Sequence, residues 1–301
     1  MLTFYESVMI ESTSLDKAAS SYRPPYDDLY IYYLEGRVPE QALVDGSPFI
    51  GTWEEDGFSF MFFSDEAEAT ITALLQAHPH LSLIDRFQMP YEEWQGGRVT
   101  AFRAGCFQVK PPWEMPAAKG AFAPKIVGEI PLWLDPGVVF GTGTHPTTRD
   151  CLAALETLYR KAGIETVLDL GTGTGILAIA AAGLGSVRVL AVDFNRLAVK
   201  TTRHNVQLNG FEKRVLPVHG RAEELVDCSA ELVIANIHFE VMKAVLLSSG
   251  FQAKRYWILS GLLRSEAREA ENLLNGGRGR IIKRWTRDNI WYTYLGQNAL
   301  N

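Results

Sequence analysis

Cysteine is scarce in this chain. There are three among 301 residues, Cys106, Cys151 and Cys228, widely spaced and without a C-x-x-C pair. That excludes a disulfide framework and a zinc-ribbon cage, so no metal site is expected, and it fits three reduced, buried thiols in a cytoplasmic protein. No apolar run reaches the roughly 18 residues of a membrane-spanning helix. The stretch MLTFYESVMIESTSLDK lacks the basic start and apolar core of a signal peptide. Positive charge is not in excess either. Lys and Arg total 29 against 35 Asp and Glu, a net charge of −6, which argues against a broad nucleic-acid surface and against direct nucleic-acid binding. Internal repeats and low-complexity segments are absent. The remainder is ordinary globular composition, 47% hydrophobic and 21% charged, in a chain long enough for two domains.

Two further absences narrow the ligand chemistry. Val167-Leu168-Asp169-Leu170 reads as a short buried strand, Gly171, Thr172, Gly173 and Gly175 form a turn, and Ile176 to Ala182 reads as a helix of strong formers. Strand, glycine turn and helix open a nucleotide-binding α/β unit. Yet Ile176 stands where a dinucleotide fingerprint has its third glycine, and no Gly-Lys-Ser/Thr follows as in a P-loop. A second apolar run, Val187 to Val192, ends in Asp193, followed by Phe194. A carboxylate at the end of the second strand can accept hydrogen bonds from both ribose hydroxyls. A glycine turn with a ribose carboxylate and no phosphate cradle suits a nucleoside without phosphate, of which S-adenosylmethionine (AdoMet) is one.

The rest of the chain supplies the setting. Tyr22 to Tyr33 is rich in tyrosine and reads as a half-buried strand with hydroxyls at its rim. Phe49 to Trp53 and Phe58 to Phe63 form a hairpin around Glu54-Glu55-Asp56-Gly57. A helix is expected over Asp65 to Ala77 and a strand over Leu81 to Ile84; residues 1–20 are read as one further strand with a polar connection. These make a small α+β domain over 1–90, with 91–129 as a linker broken by Gly96-Gly97 and rich in Ala and Pro after Met115. Residues 130–301 form the nucleotide-binding domain. It opens with Leu134-Asp135-Pro136-Gly137-Val138-Val139-Phe140-Gly141-Thr142-Gly143-Thr144-His145-Pro146-Thr147-Thr148, a loop of small hydroxyl residues that runs into a helix carrying Cys151, Leu152, Leu155 and Leu158. Such a loop can hydrogen-bond a polar ligand, and His145 within it is expected to be structural. Beyond Asp193 follow a helix over Arg196 to Leu208, an edge strand marked by Pro217, a strand from Glu231 to Ala235 ending at Asn236, a strand from Tyr256 to Gly261, a helix from Arg264 and a closing hairpin. That order predicts a mixed sheet with one antiparallel strand. Ligands lie outside the carboxyl ends of strands in such sheets, which puts Asn236 beside the glycine turn.

LDPGVVFGTGTHPTT, VLDLGTGTGILAIAA, AVDFNRLAVKTTRHNVQLNG and LVIANI, in this order, resemble the PrmA family, the methyltransferases of ribosomal protein L11. The resemblance covers about residues 130–296, with weaker echoes at Tyr91-Glu92-Glu93-Trp94 and Pro112-Trp113-Glu114. It implies a class I methyltransferase with a Rossmann-like seven-stranded mixed sheet, behind a small N-terminal domain that recognises a protein substrate. It implies AdoMet as cofactor and methylation of lysine or N-terminal amines. On this resemblance Gly171, Thr172, Gly173 and Gly175 flank the methionine part, Asp193 with Phe194 holds the ribose, and Asp169 lies near the sulfonium or the methionine amine. Phe140, Thr142, Gly143, His145, Thr147 and Thr148 line the cofactor, with Thr147 or Thr148 closing over it, and Arg221-Ala222-Glu223 edges the adenine. Asn236 is the catalytic residue, aiming the acceptor amine. Residues 1–80 depart from the family's N-terminal domain. His238-Phe239 follows Asn236-Ile237 where the family tends to carry leucine, and a packing role is expected for His238. Methylation of a small amine, a non-catalytic AdoMet-binding module and, last, a nicotinamide dehydrogenase are the alternatives.

Overall fold

The computed structural model describes residues 24–39, 42, 48–115 and 128–299. The strand expected within residues 1–20 lies outside them. Contacts divide the chain into two units. One takes in the described residues up to Gly51 with Gly57–Val99, the other Thr52–Asp56 and the residues from Thr100 onward.

The first unit is built on strand β1 (Asp28–Glu35), the start of β2 (Phe49–Glu55), β3 (Phe58–Phe63), helix α1 (Glu68–Ala77), strand β4 (Ser82–Pro90) and a helical turn α2 (Tyr91–Trp94), with sheet order β2-β3-β1-β4. Asp56 and Gly57 both have positive φ, 50° and 86°, the conformation of a two-residue hairpin whose twist matches the strands. Tyr32, Leu34, Met61, Phe63, Ile71 and Leu74 form its core. Tyr30 and Tyr33 are half-buried. Helix α1 begins three residues later than the sequence predicts. Asp65 spends its carboxylate on the neighbouring Glu66 amide, and the Ala67 amide instead donates to the buried Tyr32 hydroxyl at 2.9 Å. Strand β4 runs past Ile84 to Pro90 because it pairs with β1 along its length, from Glu35↔Ser82 to Asp28↔Pro90. Its side chains are mostly exposed, so no apolar alternation marks it in the sequence.

The second unit begins with β5 (Phe102–Ala104), β6 (Phe107–Lys110) and β7 (Ile130–Trp133), a three-stranded sheet. Part of the stretch expected as a linker is thus folded: Phe107 and Val109 are buried in the core of this unit. Then come α3 (Pro146–Tyr159), β8 (Thr166–Leu170), α4 (Ile176–Gly183), β9 (Arg188–Asp193), α5 (Arg196–Leu208), β10 (Val215–His219), α6 (Ala222–Leu225) and β11 (Leu232–Asn236). They are followed by α7 (Phe239–Leu247), α8 (Ser249–Gln252), β12 (Tyr256–Leu263), α9 (Arg264–Gly276), β13 (Gly279–Arg287) and β14 (Trp291–Asn298). The sheet order is β10-β9-β8-β11-β12-β14-β13. Only β14 opposes the others, pairing antiparallel with β12 and β13. Pro217 lies on β10, an edge strand, where its missing N–H costs no ladder bond. Helix α4 is buried on every side from Ile176 to Ala182; its alanines let it lie close on the sheet.

Apolar layers cover both faces of the large sheet, one around α3 and α4 and the other around α7 and α9. Of the cysteines only Cys151 is fully buried, with its thiol pushed up to about 12 by burial; Cys106 and Cys228 are half-buried. Among the described residues no helix is long and apolar enough to cross a membrane.

Candidate active site

The site forms where β8, β9 and β11 end. Gly171, Gly173 and Gly175 all have positive φ, 70°, 56° and 84°, which side chains rarely tolerate. At all three packing adds a second constraint. A Cβ on Gly171 would lie 2.1 Å from Ile237 Cγ2, one on Gly173 2.5 Å from the Phe140 carbonyl oxygen and one on Gly175 2.8 Å from Thr202 Cγ2. The glycines therefore admit neighbouring protein segments, the one after Asn236 and the Gly-Thr loop, into contact with the turn.

Asp193 braces this turn. Its Oδ2 accepts from the Gly173 amide and its Oδ1 from the Asn195 amide, each at 2.9 Å. Each oxygen keeps acceptor capacity beyond these bonds, enough for two hydroxyls of a ligand. Burial pushes its pKa up, against the two amide bonds that lower it. Asp169 lies deeper. Its carboxyl is pushed up to about 7, chiefly by burial, with the Asp193 charge adding to the shift; the Thr172 hydroxyl, which donates to it at 2.6 Å, and the Ala178 amide oppose it. Phe140 and Phe194, each beside a residue that contacts the turn, are 64% and 50% exposed.

Helix α5 ties the Gly-Thr loop to the turn. Asn205, wholly buried, accepts from the Asp135 amide at 2.8 Å and donates to the carbonyls of Asp135 at 2.8 Å and Thr174 at 2.9 Å. Thr202 donates to the Gly173 carbonyl and Thr174 to that of Gly141. Sequence reasoning missed these three residues. For Thr202 and Asn205 the signal was weak but present, since with Thr201 they interrupt the buried face of an amphipathic helix; Thr174, within the glycine turn, had none.

The remaining expected residues fall around this frame. Thr142 shares a hydrogen bond with Thr144 at 2.6 Å, and Gly143 is buried against Phe102. His145 is the N-cap of α3. Its Nδ1 accepts from the Thr147 amide at 3.4 Å and lies 2.7 Å from the Thr147 hydroxyl, and burial lowers its pKa, which favours the neutral ring. Thr147 and Thr148 are buried in the first turn of α3. The Thr147 carbonyl accepts from Ser260, which stands opposite Asn236 in the β11–β12 register. Asn236 is half-buried at the end of β11, and its side chain makes no hydrogen bond among the described residues. Gly261, with φ +81°, bends β12 beside it; a Cβ there would lie 3.1 Å from Asn236 Oδ1. His238 is exposed at the N-cap of α7, and Phe239 takes the buried position beside it. Arg221 is engaged by Glu223, with its Nε donating at 2.8 Å. Among the described residues no group of three or more His, Cys, Asp or Glu is arranged to hold a metal.

A seven-stranded sheet with one reversed strand, a strand–glycine turn–helix at its centre and a carboxylate closing the next strand together define a class I methyltransferase fold. The family model described as "Ribosomal protein L11 methyltransferase (PrmA)" matches residues 71–298, and the chain belongs to that family. It is 36% identical over 217 residues to the ribosomal protein L11 methyltransferase of Desulforamulus reducens, an alignment covering 70% of this chain and 67% of that protein. It is 38% identical over 215 residues to the one from Pelotomaculum thermopropionicum, covering 70% and 66%. The crystal structure of ribosomal protein L11 methylase from Lactobacillus delbrueckii subsp. bulgaricus superposes with a TM-score of 0.55 at 26% identity, covering 66% of this chain and 98% of that one. The chain thus spans about two thirds of the length of these curated relatives.

Proposed function

We propose that this protein transfers methyl groups from AdoMet to amines of a protein acceptor, lysine side chains or the N-terminus, and that ribosomal protein L11 is that acceptor. The observation that carries the reading is Asn236. Its carboxamide has no hydrogen bond of its own among the described residues, and it adjoins Ile237, which packs on Gly171 of the turn. A polar side chain left unspent at the mouth of a nucleoside site is suited to a substrate group.

The donor set fits AdoMet. Asp193 retains an acceptor for each ribose hydroxyl, the turn offers no phosphate cradle, and buried Asp169 can balance positive charge. When bound, AdoMet supplies a methyl group on a positively charged sulfur that is already a good leaving group. The protein's own work is positioning, which can contribute roughly 7–11 kcal/mol. A lysine ammonium with a pKa of about 10.4 has to lose a proton first, and burial next to a cation favours that loss. Asn236 Oδ1 then accepts an N–H of the neutral amine and holds its lone pair in line. No dedicated base is required. The first unit, through residues that precede the family match, selects the acceptor, and the protein works in the cytoplasm.

Incubation with labelled AdoMet and purified ribosomal protein L11 tests this directly, with label expected on the protein. Asn236→Ala is expected to keep AdoMet affinity and to lose about a hundredfold in turnover, the cost of a misaligned reactant. Label found only in small amines would refute the protein acceptor; full turnover in the variant would remove Asn236 from the acceptor position.

A further inference from the structure

One cleft in the second unit has no part in the cofactor turn. It has a volume of about 550 Å³ and is bordered by Arg103, Thr144, Pro146, Arg149 and Arg287. Two of its three guanidiniums have carboxylate partners. Arg103 pairs with Glu129 at 3.0 Å and Arg287 with buried Asp150 at 2.6 Å. Glu156, which reaches towards the wall at Gly105, is paired with Arg160. Arg149 has no carboxylate partner among the described residues. Its Nε donates to the Gly143 carbonyl at 3.4 Å and its Cζ lies 5.0 Å from the centre of the Phe102 ring, over its face. Phe102 itself packs on Gly143. The guanidinium is thus held from one edge and one face, while its two terminal nitrogens remain unspent at the cleft.

A positioned planar fork with two free N–H edges matches an oxyanion, a carboxylate or a phosphate, and binds it bidentately. The groups around the cleft leave one surplus positive charge. Place decides the source of the anion. The cleft borders the Gly-Thr loop and the first turn of α3, and the Thr147 carbonyl in that turn meets Ser260, the residue opposite Asn236. From this the geometry points to an anion subsite in which Arg149, with Arg103 and Arg287 at its rim, receives the carboxylate of an acidic side chain on the acceptor protein. The inference rests on the proposed protein-methyltransferase function. A single surplus cation in a chain of net charge −6 suits one carboxylate better than the phosphate run of a nucleic acid.

Inorganic phosphate is the probe for the site itself. Titrated into the full-length, isotope-labelled protein, it is expected to shift arginine Nε–H resonances saturably, and Arg149→Gln is expected to abolish the response. With ribosomal protein L11 as acceptor, Arg149→Gln is expected to raise the acceptor KM about tenfold, the loss of a charge-assisted pair. Its kcat and AdoMet affinity are expected to stay within about twofold of wild type. Arg149→Lys restores part of the KM, and phosphate competes with the acceptor in the wild type alone. No saturable shift, or one that survives in Arg149→Gln, overturns the site. A shift lost in the variant with an unmoved acceptor KM overturns the acceptor carboxylate as occupant, as does displacement of phosphate by an RNA oligomer but not by an acidic peptide. Absence of methyl transfer to any protein, with the phosphate response intact, fails the proposed function while anion binding by Arg149 stands.

Discussion

Asp193 carries two loads at once. It braces the glycine turn through two backbone amides and offers its remaining lone pairs outward. Asp193→Ala is therefore expected to do double damage. Loss of two charge-assisted ribose bonds, about 1.5–3 kcal/mol each, weakens AdoMet binding by roughly 10²–10⁴-fold in calorimetry. The two stranded amides lower the thermal midpoint in the same variant. A variant that keeps wild-type affinity would take the ribose role away from this residue. Asp169 yields a pH test. The unfolded chain releases this proton near 3.8 and the folded chain keeps it to about 7. Between those values the folded state binds more protons, so this group makes stability fall as pH rises. Asp169→Asn is expected to lose that slope in denaturation curves taken from pH 4 to 8. If cationic AdoMet binds beside Asp169 as proposed, it is expected to displace the proton, so that affinity climbs with pH up to about 7 and then levels; calorimetry in buffers of different ionisation enthalpy reads the proton released.

Strand β12 is regular except at Gly261, where pairing with β14 shifts between Leu259 and Leu262. The bend leaves the space that Asn236 Oδ1 occupies. Gly261→Ala is expected to cost about 1–2 kcal/mol of stability, the penalty of a left-handed backbone with a Cβ. It is also expected to lower turnover more than AdoMet affinity, because the added methyl meets the Asn236 carboxamide first. Equal turnover per folded molecule would reduce Gly261 to a purely architectural part. At this scale the sequence was a good guide wherever an element buries one face. Helix α5 starts and stops where its cap residues, Asn195 and the Asn209-Gly210 pair, say it does. The guide failed at β4, which is exposed, and at β5 and β6, whose three and four residues are too short to show a period.

Each of the two units has its own apolar core, and the residues that carry the proposed chemistry all belong to the second. At a hundredfold excess over its Kd, AdoMet is expected to stabilise the unit that binds it by about 2.7 kcal/mol. Hydrogen exchange is the suitable readout. Protection is expected to rise in β8, α4 and β9 and to stay unchanged in β1 to β4; protection gained equally in both units would show that they unfold as one.

The sequence by itself determined the parallel core of the large sheet, its single reversed strand, the glycine turn and the carboxylate at the end of β9. These are written in short windows, in apolar period, cap residues and residues that permit positive φ. Tertiary structure alone decided that Asn205 clamps the Gly-Thr loop to the turn, that Asp193 braces the turn through two backbone amides, that His238 is exposed and that Arg149 has no carboxylate partner among the described residues. Each of those depends on which distant segments meet, as Asp135 meets Asn205 and Asp150 meets Arg287, and no local pattern encodes a partner that far along the chain.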